Sequence, residues 1–226
     1  MGPVPFRAVL FDWRGTLTTT LTEAEWVQEA LRRLGRHRSG DEVEAIASLL
    51  RGAEGDLDAP GTDTDARVHR QTYERVLRGL GLDDDLVGAL YAVESDPSCN
   101  RFAADVPETF ARLRATDVRI AVVSDVHVDI RPAFAAAGLP VDAFTLSFED
   151  GVQKPDPAMF SRTLTALNLA PSEALMVGDR SRPDGAAVEL GIATLLLPPL
   201  AHASERRLHF VTALCGSVPG GISHVK

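Results

Sequence analysis

The sequence predicts an α/β fold: a parallel sheet covered by helices and interrupted early by an all-helical insertion. Three observations carry this. Short apolar runs over residues 6–11, 118–123 and 174–178 are each followed by an aspartate or a Ser-Asp pair, as buried strands entering tight loops are. Helical periodicity separates the later runs, which is the alternation that a parallel sheet needs for its crossovers. From about Leu21 to Asp96 the pattern is helical throughout, with no strand-like run. At 226 residues and 45% hydrophobic content, the chain has enough apolar side chain for one α/β domain carrying such an insertion.

Residues 6–11 read as the first strand, with Asp12 at its end and Gly15 in the loop that follows. Within the insertion, Trp26, Ala30, Leu31 and Leu34 share one face of a first helix. Asp41, boxed with Glu44, is the expected cap of a second, whose stripe is Val43, Ile46 and Leu50. Residues 52–63 read as a polar linker. Tyr73, Val76, Leu77 and Leu80 mark a third helix, and residues 84–93 a fourth. Beyond Arg101 the order is a helix over 106–115, a strand over 118–123, a helix over 130–137, a strand over 143–148 and a loop over 149–157. Asp156 is expected to cap, and Pro157 to open, a helix with Phe160, Leu164 and Leu167 on one side. A strand over 174–178, a short helix over 185–190, a strand over 194–197 and a closing helix over 201–214 complete the series. The α/β domain is therefore expected from residues 1–17 and 101–226, and the helical domain from 18–100.

The net charge of −9 and a pI near 5.1 speak against a broad nucleic-acid or anionic-membrane surface, since the mean field repels phosphates. No run approaches 18 apolar residues, and the first residues lack a basic segment followed by an apolar one. Cys99 and Cys215 stand far apart without a CxxC, so reduced cysteines are the economical reading. The expectation is a soluble cytoplasmic protein, a monomer or homodimer, with a small-molecule partner. Its 23 basic residues are 21 arginines and two lysines, Lys154 and Lys226. An internal lysine in a chain that otherwise uses arginine asks for a reason. The histidines form no HExxH pattern, and neither a Gly-rich nucleotide cradle nor a serine nucleophile elbow is present.

Asp12, Ser124, Lys154 and Asp179 all fall at or just after strand ends. In open α/β sheets, ligands bind in the crevice beyond the carboxyl ends of the strands. The set Asp12-Trp13-Arg14-Gly15-Thr16, then Ser124, then Lys154-Pro155-Asp156, then Gly178-Asp179 with Asp184 five residues on, resembles the four ordered motifs of the haloacid dehalogenase superfamily. The resemblance covers essentially the whole chain, because the insertion looks like that family's helical type 1 cap. It implies a Rossmann-like core and a hydrolase with Asp12 as the nucleophile. Ser124 and Lys154 are implied to hold the transferred group. Asp12, the backbone carbonyl of Arg14, Asp179 and Asp184 are implied as Mg²⁺ ligands, and Thr16 as a brace or substrate contact.

A carboxylate attacking a phosphate dianion meets like-charge repulsion, which a hard oxygen-bound cation and one lysine relieve. The reading is therefore a Mg²⁺-dependent phosphatase for a small phosphorylated, anionic substrate. One residue departs from the pattern. Phosphatases of this family carry a second aspartate two positions after the nucleophile, whereas this chain has Arg14, which cannot exchange a proton and is expected in or beside the pocket. Losing general acid–base help costs about 10²–10⁴ in rate. Two alternatives stay open: a 2-haloacid dehalogenase-like hydrolase, and a catalytically impaired phosphate-binding or regulatory protein. Trp13 also resembles the first motif of phosphonoacetaldehyde hydrolases, but these need a lysine in the cap, and residues 18–100 contain none.

Overall fold

In a computed structural model, which describes residues 6–216, strands β1 (Ala8–Phe11), β2 (Arg119–Ser124), β3 (Ala143–Leu146), β4 (Ala174–Gly178) and β5 (Ala193–Leu196) form one parallel sheet. Residues 1–5 and 217–226, and with them Lys226 and His224, lie outside the described residues. The strand order is β3-β2-β1-β4-β5. Phe11 pairs with Val122 on one side and Val177 on the other, so Asp12, Ser124 and Asp179 emerge from three adjacent strands at the same edge.

Strand alternation divides the core. Val9 and Phe11 join Val122, Val177, Phe110 and Phe134 on the face covered by α6 (Val106–Ala115), α7 (Arg131–Ala136) and α10 (His209–Cys215). Ala8 and Leu10 join Ala121, Val123, Met176, Met159 and Phe160 on the opposite face, under α9 (Pro157–Leu167). Both faces of β1 are buried, which is why the strand reads as a continuous apolar run.

Residues 23–94 hold five helices: α1 (Glu23–Arg33), α2 (Gly40–Gly52), α3 (Glu54–Leu57), α4 (Ala66–Gly79) and α5 (Asp84–Glu94). Their apolar faces close on one another, with Trp26, Leu31, Leu50, Tyr73, Leu77 and Leu90 in a cluster separate from the two beside the sheet. Short contacts tie this layer to the sheet end. Ser147 Oγ donates to the Asp63 carbonyl (2.8 Å), and Gly61 N to Gln153 Oε1 (2.9 Å).

Four local expectations are corrected. The box that opens α2 is Ser39 with Glu42, not Asp41 with Glu44. Ser39 Oγ accepts from Glu42 N, and the Glu42 carboxylate accepts from Ser39 N at 2.9 Å. The helix starts at Gly40, so Asp41 lies inside the first turn, where it faces the positive end of the dipole. The linker over 52–63 contains α3, whose Leu57 is buried in the helical cluster. Strand β3 stops at Leu146, because Ser147 turns its hydroxyl to Val126 N (2.8 Å) and begins α8 (Ser147–Asp150). The last helix starts at His209 rather than 201. The residues before it are drawn onto other loops, with Ala203 O accepting from Ala104 N and Leu208 N donating to Asp105 Oδ2, both at 2.7 Å.

Candidate active site

At the end of β1, Asp12 N donates to Val177 O (2.9 Å), fixing the backbone as it leaves the sheet. The chain then folds tightly, with Gly15 N donating to Thr18 O at 2.8 Å. Gly15 has φ +78°, and a Cβ there would lie 2.7 Å from Asp179 Cγ. Only glycine meets both demands. The loop is gripped from behind by buried Arg207, whose Nη2 donates to Gly15 O (2.6 Å) and Thr16 O (2.7 Å).

Lys154 lies between two carboxylates. Its Nζ is 2.7 Å from Asp12 Oδ1 and 2.6 Å from Asp184 Oδ1, and the lysine is only 3% exposed. Asp184 Oδ2 accepts from the amides of Asp179 (3.1 Å) and Arg180 (2.9 Å). A Cβ on Gly178 would overlap the Asp184 side chain, so this glycine makes room for that carboxylate. Thr16 Oγ1 is 3.3 Å from Asp12 Oδ2 and 3.0 Å from Asp179 Oδ1, and its single proton serves one at a time. Asp12, Asp179 and Asp184 each offer an oxygen within 4.8 Å of the others.

These positions set the charges. Burial, with Asp184 and Asp179 nearby, pushes the Asp12 carboxyl up to about 7 even though Lys154 pulls it down. Burial also raises Asp179. Burial works against the Lys154 ammonium, but Asp12 and Asp184 outweigh it and hold the lysine above its ordinary value. One ammonium among three carboxylates leaves the group short of positive charge. This set of hard oxygen donors suits a small divalent cation.

Ser124 joins Asp12 and Lys154 on the wall of an inner cavity of about 90 Å³. A wider space of 390 Å³ lies outside it, lined by Trp26, Leu50, Tyr73 and Leu200 among others. Arg14 and Arg180 border both spaces, each held by an acid of the helical layer. The Arg14 guanidinium pairs with the Glu94 carboxylate and donates to the Glu94 carbonyl at 2.8 Å, and Arg180 Nη2 lies 3.0 Å from Asp58 Oδ2.

The structure thus brings together Asp12, Thr16, Lys154, Asp179 and Asp184, places Ser124 beside them, and turns the Arg14 side chain toward Glu94. Sequence reasoning missed Asp125, whose Oδ1 accepts from Lys154 N at 2.8 Å, although it directly follows Ser124. It also missed Arg207 and Glu94, and Asp63 and His127, which line the inner cavity. Arg207 and Glu94 carry no local signal, being two among many charged residues on helices and loops.

The order of these groups at one sheet end matches a known family over most of the chain. The family model for haloacid dehalogenase-like hydrolases matches residues 6–189. The chain belongs to this family. Among curated relatives, the ribulose-1,5-bisphosphate 5-phosphatase of Halopiger xanaduensis is 35% identical over 99 residues, 42% of this chain. The match spans only 41% of that protein's own length. Among solved structures, the HAD phosphatase of Thermococcus onnurineus superposes with a TM-score of 0.63 at 23% identity, over 93% of this chain and 98% of its own. The L-2-haloacid dehalogenase of Xanthobacter autotrophicus gives the same TM-score and identity over 85% and 77%. At these identities the structural likeness shows the fold, which phosphatases and dehalogenases share.

Proposed function

We propose that this hydrolase is a Mg²⁺-dependent phosphatase acting on a small phosphorylated metabolite through an aspartyl-phosphate on Asp12. The observation that carries the reading is the acidic trio around one lysine. Three carboxylates crowded at a buried site call for a cation, whereas the resemblance to 2-haloacid dehalogenases implies neutral residues at most of the metal-coordinating positions. The partial match to a curated phosphatase supports the same choice. Asp12, Asp179 and Asp184, with the Arg14 carbonyl, are the groups that would hold Mg²⁺. Once bound, the ion supplies positive charge against the repulsion between carboxylate and phosphate dianion.

The chain's own residues do the rest. Asp12 attacks phosphorus in line with the leaving oxygen, and Lys154 and Ser124 hold the equatorial oxygens of the transferred group. Thr16 and Arg207 fix the loop from which Asp12 attacks. Residues 18–100 act as a cap that closes over the inner cavity and excludes water. Arg14, tied to Glu94, supplies no proton to the leaving group, which directs the enzyme toward esters with easily expelled alcohols. The unpaired cysteines fit a reducing, cytoplasmic setting.

The test is turnover of small phosphate esters of graded leaving-group pKa, with and without Mg²⁺, alongside Asp12→Asn. Metal-dependent phosphate release that falls steeply as leaving-group pKa rises, and vanishes in Asp12→Asn, is expected. Halide release from 2-haloacids without metal would overturn the phosphatase reading in favour of the dehalogenase.

A further inference from the structure

A second cluster lies at the seam between the helical layer and the sheet. Asp63 comes from the segment before α4, His69 from α4 itself, and His127 from the loop after β2. Each offers one ligand atom, and the three atoms lie within 4.8 Å of one another. Asp63 Oδ1 is 3.7 Å from His69 Nε2 and 3.9 Å from His127 Nδ1. These spacings are too long for hydrogen bonds. A point central to such a triangle lies roughly 2.2 Å from each atom, close to the Zn–N and Zn–O lengths of structural and catalytic sites.

The surroundings prepare these atoms for a cation. His127 Nε2 is 2.9 Å from Ser95 Oγ. If that nitrogen carries the proton, Nδ1 turns its lone pair toward Asp63, the arrangement in which a second hydrogen bond orients a metal-bound histidine. The Asp63 backbone is anchored by Ser147 Oγ, which donates to its carbonyl. His69 is 1% exposed, and its Nδ1 has no hydrogen-bond partner. Burial keeps both imidazoles neutral, the form that binds metal. A half-buried carboxylate facing two buried imidazoles without a hydrogen bond to either is an arrangement that a cation resolves.

We propose that Asp63, His69 and His127 form a binding site for a divalent transition metal of the zinc class, spanning the seam between the helical layer and the sheet. The nitrogen donors set it apart from the all-oxygen cluster of Asp12, Asp179 and Asp184, which suits a hard cation. The imidazole rings are stacked, with centroids 3.3 Å apart and planes 10° from parallel. Coordination therefore splays them so that each lone pair meets the ion. Because His127 belongs to the sheet loops and the other two ligands to the helical layer, the bound ion pins the layers together and slows their separation.

The test is Zn²⁺ titration of the metal-stripped full chain by calorimetry, repeated with Co²⁺ to read the visible band of a low-coordinate nitrogen-ligated site. One Zn²⁺ equivalent that persists in Asp179→Asn, with affinity at least ~10²-fold weaker in His127→Gln and in Asp63→Asn, is expected. Asp63 keeps 23% of its side-chain surface exposed, so Asp63→Asn keeps the test open if a histidine variant fails to fold. Zn²⁺ binding that is lost in Asp179→Asn but unchanged in Asp63→Asn would overturn the proposal, as would no binding to the folded wild-type chain. Neither readout depends on catalysis, so the proposal fails or stands apart from the phosphatase reading.

Discussion

At the residue scale, Asp12 has one oxygen on Lys154 and the other facing Thr16. Asp12→Asn keeps the shape and removes the proposed nucleophile, so kcat should fall by at least ~10⁴ with little change in far-UV circular dichroism. Gly178→Ala tests the space given to Asp184. Its methyl displaces that carboxylate from Lys154 and from the Asp179 and Arg180 amides. A loss of about 1–3 kcal/mol in urea unfolding, with a clear drop in turnover, is expected; a neutral result would show that Asp184 is free to move. Arg14 is a coupled case. Arg14→Asp introduces the proton carrier typical of phosphatases but leaves Glu94 facing another carboxylate. The double variant Arg14→Asp with Glu94→Gln should therefore gain more on alkyl phosphates than Arg14→Asp alone, up to about 10²-fold. Equal rates would show that the ion pair does not limit turnover.

At the element scale, most of the fold was legible because β1 and β4 are uninterrupted apolar runs, the other strands are mostly apolar, and each long helix shows a three- and four-residue stripe. Trp26, Ala30 and Leu31 on α1, and Tyr73, Val76 and Leu77 on α4, are buried as that spacing requires. Asp156 accepts from Ala158 N at 2.8 Å with Pro157 in the first helical position, as expected. Short elements escaped because one turn carries no periodicity: α3 and α8, four residues each, are held by Leu57 burial and by Ser147's hydrogen bonds. The corrected cap gives a direct measurement. Ser39→Ala should cost about 1 kcal/mol in chemical denaturation, and Asp41→Ala no more than a few tenths. The reverse ranking would restore the Asp41 reading.

At the scale of the whole molecule, the seam between the layers titrates. Burial, with neighbouring charges, holds His69 down to about 2 and His127 down to about 3, against an ordinary 6.5. The unfolded chain takes up those two protons below pH 6.5 and the folded chain does not. Their stabilisation is thus present above 6.5 and lost as pH falls toward 3. Asp63, pushed up to about 7 by burial and Asp125, runs the other way, its contribution being lost as pH rises from 3.8 through 7. Near pH ~5 the three groups together leave the unfolded state two protons minus one ahead, which makes acid destabilising by about 1.4 kcal/mol per pH unit. In metal-free buffer, His127→Gln should flatten the pH dependence of urea unfolding in this window by about that slope, and Asp63→Asn should steepen it. Identical slopes in wild type and His127→Gln would contradict the assignment.

Taken by itself, the sequence determined the α/β class, the helical insertion and the positions of Asp12, Ser124, Lys154, Asp179 and Asp184. Apolar periodicity and strand ends are local properties, and the motifs sit directly on them. The tertiary structure decided which charges face one another. It placed Glu94 on Arg14, Arg207 behind the loop that follows Asp12, and Asp63 with His69 against His127. Such pairings join residues tens to nearly two hundred positions apart. They depend on how the helical layer settles on the sheet, and no local pattern in the chain encodes that distance.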